Sequence, residues 1–257
     1  RNPARRTPWV TYLLIGLNFL FLLLSPAAGS SGVGAASIAG LCRQEAFYDR
    51  YAAIPTELAH NDPLDRVPTG EVGRNRAGQV GCVVEPPDYD KIPFLSVLYS
   101  MFLHGGWLHL LGNMLFLFVF GNNIEDRLGH LRFALFYLFC GYVAAYAFAL
   151  ANVNSTQALI GASGAVAGVL GAYLMIYPRA RVWSLVPFLF FIPIPLPAWV
   201  VLGLWFVLQW LYSAGLAVSG AGSVAYLAHV VGFAVGALIA LPLRHRTTPP
   251  PEYYQSR

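Results

Sequence analysis

Residues 133–178 read FALFYLFCGYVAAYAFALANVNSTQALIGASGAVAGVLGAYLMIYP and contain no Asp, Glu, Lys or Arg. Residues 182–243 also lack these four residue types. A helix of about 20 apolar residues crosses a bilayer, and backbone groups inside lipid must form their hydrogen bonds within the protein. The two stretches therefore predict an all-α membrane protein that crosses the bilayer several times.

The composition of the 257-residue chain agrees with this interpretation. Hydrophobic residues make up 57% of the chain and charged residues 11%, and the mean hydropathy is +0.56. Because a soluble domain carries roughly 25% charged residues, the composition argues against one or two soluble domains of this length. The formal net charge of +4 is no argument for nucleic acid as a partner, because the charges are distributed as expected from membrane topology.

Apolar and polar segments divide the chain into five regions. Residues 1–8 are a basic tail, 9–26 contain the first spanning helix, and 27–93 form a long polar loop. Residues 94–243 contain five further spans, near 106–121, 132–151, 162–177, 198–217 and 224–242. Residues 244–257 are a basic, Pro-rich tail that we expect to be disordered.

Three other segments have their own signals. Residues 182–197 are apolar, but their four prolines cannot sustain a helix, so we expect an irregular hydrophobic loop at the interface. Within the long loop, Ala46–Ala53 favours a short surface helix. The basic residues before the first span also suit a signal peptide, although Ser25–Ala28 is a poor cleavage site and more spans follow.

Basic residues in the short connections predict the orientation of the spans. With the N-terminus in the cytoplasm, the short external connections 152–160 and 218–223 contain no basic residue. The cytoplasmic segments then hold Arg1, Arg5, Arg6, Arg127, Arg132, Arg179, Arg181, Arg244, Arg246 and Arg257. This predicts six helices with both termini cytoplasmic and an extracytoplasmic loop at 27–93. Because Arg strongly outnumbers Lys, as is typical of GC-rich genomes, we expect a bacterial plasma membrane.

Two cysteines, Cys42 and Cys82, lie in the loop that is placed outside. An oxidising compartment favours a disulfide between them, and two free thiols are the alternative. In the same loop, a group of His and Asp residues is interpreted as solvated surface: His60, Asp62 and Asp65. No metal site, Gly-rich phosphate loop or cofactor is predicted.

Four polar residues inside the spans are candidates for function, since polar groups in lipid are costly: His109, Asn113, Ser163 and His229. Ser163 and His229 lie near the outer ends of two helices that run in the same direction, and the rise of 1.5 Å per residue puts them at similar depth. A serine becomes a nucleophile when a base takes its proton, and imidazole is the usual base. No Asp or Glu lies in a span, so the chemistry would use a dyad.

His109 and Asn113 are spaced i, i+4 and therefore share one helix face. With the Ser163 N–H at a helix N-terminus, they would form an oxyanion hole. Each residue also has a structural interpretation: Ser163 lies in a small-residue seam suited to close helix packing, and a membrane histidine is often an interhelical hydrogen-bond partner. Convergence of four polar groups at one depth favours the catalytic interpretation.

Four motifs in order resemble the rhomboid family of intramembrane serine proteases. They are HGGWLHLLGN at 104–113, EDRLG at 125–129, GASG at 161–164 and AHVVGFAVG at 228–236, and the resemblance covers roughly 95–242. It implies a six-helix bundle with Ser163 as nucleophile, His229 as base, and His109, Asn113 and the Ser163 N–H as the oxyanion hole. It also implies structural roles for His104, Gly161, Gly164, Glu125, Arg127, Gly232 and Gly236, with Gly232 and Gly236 letting the sixth helix approach the fourth.

The resemblance further implies cleavage of transmembrane proteins near the outer membrane surface, after small residues. Access would lie beside the fifth helix, which carries Trp199, Trp205, Phe206 and Trp210. The expected partners are transmembrane substrates and the bilayer, and the long loop is a candidate surface for partner proteins. Ala167 departs from the family pattern, because many members have there a Tyr that stacks on the histidine. The first loop also lacks a Trp-Arg pair, so we expect it to dock differently.

Two other functional classes fit parts of the pattern. One is a noncatalytic rhomboid relative that routes membrane clients to another machine, although such relatives usually lack the serine or the histidine. The other is a transporter or channel, which would need ionisable residues along a transmembrane path. The presence of both Ser163 and His229 favours the enzyme.

Overall fold

The computed structural model describes residues 6–29, 37–74, 78–186, 192–214 and 225–246. Within these ranges the chain is mostly helical, with two ribbons of two antiparallel strands each. The all-α prediction therefore fits the bundle but is wrong for two of its connections. The predicted external connection 218–223 and most of the predicted C-terminal tail, 247–257, lie outside the described residues, as do residues 1–5.

The elements follow one another in a simple order. They are α1 (Trp9–Leu24), α2 (Ile38–Tyr51), α3 (Pro55–His60), β1 (Val67–Arg74), β2 (Val80–Glu85), α4 (Pro93–Ser100), α5 (Trp107–Phe116), α6 (Asn122–Leu128), α7 (His130–Ala151), α8 (Ser163–Ile176), β3 (Arg181–Val186), β4 (Ile192–Pro197), α9 (Ala198–Ser213) and α10 (Tyr226–Ala240). A π-helical turn, Leu117–Gly121, joins α5 to α6, and a 3₁₀ turn, Leu241–Arg246, continues α10.

Three helices in the described ranges are long and apolar enough to cross a membrane: Trp107–Leu128, His130–Ala151 and Tyr226–Arg244. Three further apolar helices are shorter, namely α1, α8 and α9. All six overlap the predicted spans. Leu108, Leu131 and Leu24 are 87%, 72% and 72% exposed, so the bundle presents large apolar side chains outward, as expected of a protein surrounded by lipid.

Glycines allow α8 and α10 to pack with their backbones in contact. A Cβ on Gly232 would overlap the carbonyl oxygen of Gly164, and one on Gly236 would overlap that of Gly168. A Cβ on Gly171 would overlap the carbonyl oxygen of Phe233 in the same way. Small residues are what permit such close approach of membrane helices, so this seam sets the distance between the two helices.

Residues of the EDRLG motif join helix ends at the opposite end of the bundle from the N-terminus of α8. The buried Glu125 carboxylate accepts hydrogen bonds from the N–H groups of Val10 and Thr11, at 2.9 and 2.8 Å, in the first turn of α1. A carboxylate there satisfies free helical donors and interacts favourably with the helix dipole. Arg127 donates to the carbonyl of Leu243 at 3.2 Å, after the end of α10. The motif therefore ties α1 and α10 to the end of α6.

A folded unit, the cap, comprises residues 37–74 and 78–91. In it, α2 packs on the β1–β2 ribbon, and a disulfide joins Cys42 of α2 to Cys82 of β2. The sequence predicted a loop with a short helix at Ala46–Ala53, whereas α2 begins eight residues earlier, at Ile38. Weak periodicity concealed this helix, because its contacts are with the ribbon and the bundle end rather than with one continuous core.

Residues 181–197 form a ribbon instead of the predicted irregular loop. Arg181–Val186 pairs with Ile192–Pro197 in antiparallel register, with Trp183 opposite Pro195 and Leu185 opposite Pro193. Every second residue of such a strand turns its N–H away from the partner. Prolines spaced two residues apart can therefore all occupy positions where no N–H is needed, and proline is tolerated on an edge strand. Pro187, the fourth proline of the stretch, lies outside the described residues.

Charged groups are buried where the cap meets the bundle. Lys91, the single lysine of the chain, lies 2.7 Å from the Glu57 carboxylate and donates to the carbonyl oxygen of Asp49 at 2.6 Å. Burial lowers the pKa of Lys91, and the hydrogen bond and charge of Glu57 oppose that effect. Burial raises the pKa of the Asp49 carboxyl to about 6, while the charge of Lys91 acts against it and those of Glu45 and Glu57 add to it.

The glycine seam predicts that Gly236→Ala destabilises the protein. The added methyl group would displace α10 from the Gly168 backbone, and overpacking of this kind costs about 1–3 kcal/mol or more. The measurement is the apparent melting temperature in detergent micelles, which we expect to fall. Gly16→Ala is the matched control, because nothing lies within 4 Å of the added group. Equal melting temperatures for the two variants would contradict a close α8–α10 contact.

The raised pKa of Asp49 predicts a pH dependence of stability. Between about pH 4 and 6 the Asp49 carboxyl binds its proton more tightly in the folded protein than in the unfolded chain. The contribution of Asp49 to the free energy of unfolding therefore decreases as the pH rises through that window and is constant above it. Asp49→Asn should therefore raise the melting temperature more at pH 7 than at pH 4.

The exposed Asp88 supplies the control for this experiment, since its side chain is 86% accessible. Asp88→Asn should change the melting temperature little at either pH. A gain from Asp49→Asn that is the same at pH 4 and pH 7 would exclude a buried, titrating carboxyl at position 49.

Candidate active site

Ser163 and His229 are brought together by the α8–α10 seam, although 66 positions separate them in the chain. Ser163 is the first residue of α8 and His229 the fourth of α10. The distance from His229 Nε2 to Ser163 Oγ is 2.7 Å, which is a hydrogen bond. Gly232, one turn after His229, contacts the backbone of Gly164 directly. The arrangement is one from which an imidazole can remove the serine proton.

His109 and Asn113 lie beside this pair on α5. The Gly105 N–H donates to His109 Nδ1 at 3.4 Å, so Nε2 carries the proton of the neutral ring and is free to donate. This nitrogen faces Gly161, where an added Cβ would lie 2.8 Å from it. Asn113 Nδ2 donates to the His109 carbonyl at 3.0 Å, and its second hydrogen remains for another acceptor.

Gly161 shapes the turn that leads into Ser163. Its φ of +118° is unfavourable for a residue with a side chain, and His109 occupies the space that a Cβ would need. The Gly161 N–H donates to the Ser100 carbonyl at 2.9 Å. The N–H of Ser163 follows at the start of α8, where the first N–H groups have no acceptor inside their helix. Its hydrogen-bond acceptor must therefore come from outside α8.

The cap forms hydrogen bonds with the segment 155–159, which leads into the turn at Gly161. The Leu159 N–H donates to the Ala53 carbonyl at 2.7 Å, and the Thr56 N–H donates to the Ser155 carbonyl at 3.0 Å. The Tyr48 hydroxyl donates to the carbonyl of His104 at 2.8 Å. These bonds connect the cap to both segments that carry the predicted oxyanion-hole residues. The cap is thus docked without the Trp-Arg pair that the resemblance would supply.

His104 is fully buried between the cap and the active site. Its ring contacts that of His109 edge-on, with the centroids 4.9 Å apart, and its Nδ1 lies 3.3 Å from the Phe102 carbonyl. This hydrogen bond and this ring contact join His104 to Phe102 and His109 and not to Ser163. Its position next to His109 means that it limits where that ring can turn.

Gln209 is a residue that sequence reasoning missed. It lies on α9, and its Oε1 is 2.6 Å from His229 Nδ1. The signal was present: Gln209 is a polar side chain in the otherwise largely apolar helix AWVVLGLWFVLQWLYS, and such residues in lipid usually have a partner. Trp205 and Tyr226 also flank the imidazole, with ring centroids 6.1 and 6.3 Å away. Aromatic rings from α9 and α10 therefore flank the imidazole in a chain that has Ala at position 167.

Two cavities adjoin Ser163. The larger, about 1860 Å³, is a cleft lined by Ser163, His229, His109 and Asn113 at the bundle and by cap residues including Arg43, Glu45 and Arg66. It exceeds the roughly 300–1,000 Å³ of small-molecule pockets. The smaller, about 30 Å³, is lined mainly by small residues, among them Gly141, Ala144, Ala145 and Gly161. Within the described ranges, no group of three or more His, Cys, Asp or Glu side chains could hold a metal ion.

Comparisons with known proteins point to one family. A sequence model described as the Rhomboid domain matches residues 93–246, more than half of the chain. RHOMBOID-like protein 6, mitochondrial, of Arabidopsis thaliana is 36% identical over 107 residues, covering 39% of this chain and 34% of that protein. Rhomboid protein 1, mitochondrial, of Saccharomyces cerevisiae is 32% identical over 149 residues, covering 56% of this chain and 40% of that protein.

A bacterial relative is similar over a shorter segment. Putative rhomboid protease YdcA of Bacillus subtilis is 35% identical over 84 residues, 30% of this chain and 39% of that protein. The chain covers about one third to two fifths of the length of these three relatives. The domain match and the apolar helices confirm the family prediction: the chain is an integral membrane protein that belongs to the rhomboid family.

Proposed function

We propose that this protein is an intramembrane serine endopeptidase that cleaves transmembrane substrates with a Ser163–His229 dyad. The observation that carries the proposal is the 2.7 Å hydrogen bond between Ser163 Oγ and His229 Nε2, two residues that line a cleft large enough for a peptide segment. Rhomboid proteins are generally intramembrane serine proteases, although some members are inactive. The presence of both groups, in hydrogen-bonding geometry, favours an active enzyme over a noncatalytic relative.

The proposed reaction is an acyl transfer in two steps. His229 Nε2 takes the proton of Ser163 Oγ, and the oxygen attacks the carbonyl carbon of the substrate peptide bond. The negative oxygen of the tetrahedral intermediate accepts hydrogen bonds from the Ser163 N–H, His109 Nε2–H and Asn113 Nδ2–H. The C–N bond then breaks and the imidazolium gives its proton to the leaving amine. Water, deprotonated by His229, releases the acyl group from Ser163 in the same way.

We further propose that all six apolar helices span the membrane and that the cap lies outside. Basic residues gather at the end of the bundle opposite the cap, where Arg127 reaches Leu243 and the Arg6 N–H donates to Asp126. Arginine-rich connections mark the cytoplasmic side. The dyad then lies within about one helical turn of the outer ends of α8 and α10, and cleavage is expected near the outer face.

In this orientation the cap forms the outer wall of the substrate cleft. Its charged side chains, Arg43, Glu45 and Arg66, line the cleft together with the dyad. A transmembrane substrate continues into water beyond its apolar segment, and such a polar segment would meet these side chains. We propose that the cap contacts substrates or partner proteins there.

The proposal predicts that a fluorophosphonate probe labels the protein at Ser163. The probe reacts with a serine whose proton is removed by a base, so Ser163→Ala should abolish labelling and reduce cleavage of a model transmembrane substrate by at least about 10³-fold. Labelling is read by gel fluorescence and intact mass. Ser213→Ala, a serine at the end of α9, is the control and should label normally. Normal cleavage by Ser163→Ala would exclude the mechanism.

The small cavity beside Ser163 predicts a preference for small residues before the scissile bond. A space of about 30 Å³ holds a group near the size of one water molecule or methyl group. A substrate with Ala at that position should be cleaved at least about tenfold more efficiently, in kcat/KM, than the same substrate with Phe.

Met101 allows a matched test of this preference, since it lines the small cavity beside Gly141. Met101→Ala should enlarge the cavity and narrow the ratio between the Ala and Phe substrates. Equal cleavage of the two substrates by the unmodified protein would show that the cavity does not receive this side chain.

A further inference from the structure

We infer that Gln209 is the positioning residue that holds His229 in the tautomer able to act as a base. The inference rests on the proposed function. In the described structure, the hydrogen bonds of the imidazole are those to Gln209 Oε1, 2.6 Å from Nδ1, and to Ser163 Oγ, 2.7 Å from Nε2. The two bonds occupy both ring nitrogens, so together they determine which nitrogen carries the proton.

The oxygen of the amide decides the tautomer. Gln209 Oε1 has lone pairs and no hydrogen, so it can only accept, and Nδ1 must donate to it. In a neutral imidazole Nε2 then has the free lone pair, and the Ser163 hydroxyl donates to that nitrogen. With the opposite tautomer, Nε2 would donate to Ser163 and could not take its proton. Gln209 therefore selects the productive state of the base.

Other neighbours of the ring do not perform this task. The Trp205 ring is tilted against the imidazole and the Tyr226 ring lies edge-on to it, and such packing restricts the ring without distinguishing its nitrogens. Ala167 of α8 is too small to reach it. Helices α8 and α9 contain no charged residue, and α7 has Arg132 only in its first turn. Among the described residues, Tyr226 is the titratable group whose ring flanks the imidazole, and His109, Arg43, Glu45, Asp49 and Arg66 line the same cleft as His229.

The Gln209 amide orients the imidazole but has no charge to balance that of the imidazolium. A carboxylate in the same position would also stabilise the imidazolium that forms when the serine proton is taken. This chain has an uncharged partner instead, which avoids placing an ionised side chain on a membrane helix. The expected consequence is a base that is correctly oriented but receives no charge stabilisation from position 209.

Because Gln209 is on α9, the state of the base depends on where that helix lies. Only Ala198 and Leu202 of α9 are buried, and its contacts with α10 include the ring pairs Phe206–Phe233 and Tyr212–Tyr226, with centroids 4.8 and 4.9 Å apart. A substrate that separates α9 from α10 would break the Gln209–His229 bond. Return of α9 would restore both the bond and the productive tautomer.

Three variants of the full chain in detergent micelles test the assignment through their pH–rate profiles. Gln209→Met keeps the length of the side chain but loses the acceptor, and should lower kcat roughly 10- to 100-fold with little change in KM. Gln209→Glu keeps an acceptor and adds charge, so it should retain most activity and shift the acidic limb of the profile to higher pH. Leu208→Ala, an exposed neighbour on α9, should stay within about twofold of the parent.

A full-rate Gln209→Met variant with an unchanged profile would overturn the inference. Equal losses in Gln209→Met and Gln209→Glu would do the same, because they would indicate a role in helix packing alone. The rate of fluorophosphonate labelling of Ser163 across the same pH range gives a second profile that requires no substrate.

Nitrogen-15 spectra of the imidazole separate this inference from the proposed function. With selectively labelled histidine, His229 should show a protonated Nδ1 in the parent protein and a shift toward protonated Nε2 in Gln209→Met. This readout does not depend on catalysis. If Ser163 fails to label but the tautomer follows Gln209, the proposed protease activity is wrong and the positioning role stands. If labelling is normal but the tautomer is the same in both proteins, the positioning role is wrong.

Discussion

The contact between α8 and α10 is the constraint on which the rest of the molecule depends. The carbonyl groups of Gly164 and Gly168 on α8 occupy the space that a Cβ would need at Gly232 and Gly236 on α10. Only glycine fits at these two positions of α10. In lipid there is no hydrophobic effect to press helices together, so close van der Waals contact of this kind supplies much of the association. The same contact brings an imidazole to a hydroxyl. A feature of packing is therefore also the main determinant of the candidate active site.

Two sets of interactions then hold the ends of the bundle. At one end, Glu125 and Arg127 satisfy free backbone groups of α1 and α10. At the other, the cap bonds to the turns before α5 and α8 through Tyr48 and Ala53. Unpaired backbone groups are especially costly where water is scarce. This explains why several motif residues that perform no chemistry nevertheless have defined partners.

The cap shows how much a polar segment can conceal from pattern analysis. Its composition suggested a loop, yet Lys91 joins three of its segments through buried polar contacts, and a disulfide closes it. The 181–197 ribbon was hidden for a related reason, because prolines exclude helix but not edge strands. In the cap, Cys42 pairs with Cys82, 40 residues away, and in the ribbon Arg181–Val186 pairs with Ile192–Pro197. The periodicity of one segment contains no information about the segment with which it pairs.

The sequence by itself determined the membrane class, the approximate positions of the apolar helices, and the ordered motifs that identify the family. It also indicated Ser163 and His229, because a polar group in an apolar helix stands out and helical rise gives its depth. Only the tertiary structure decided which side chain meets the second imidazole nitrogen. Gln209 lies on a different helix, and its rotation toward His229 follows from helix packing. The depth of a residue in the membrane follows from its position along its own helix. Which side chains of two helices face each other depends on how the helices pack, and the sequence of one helix does not contain that information.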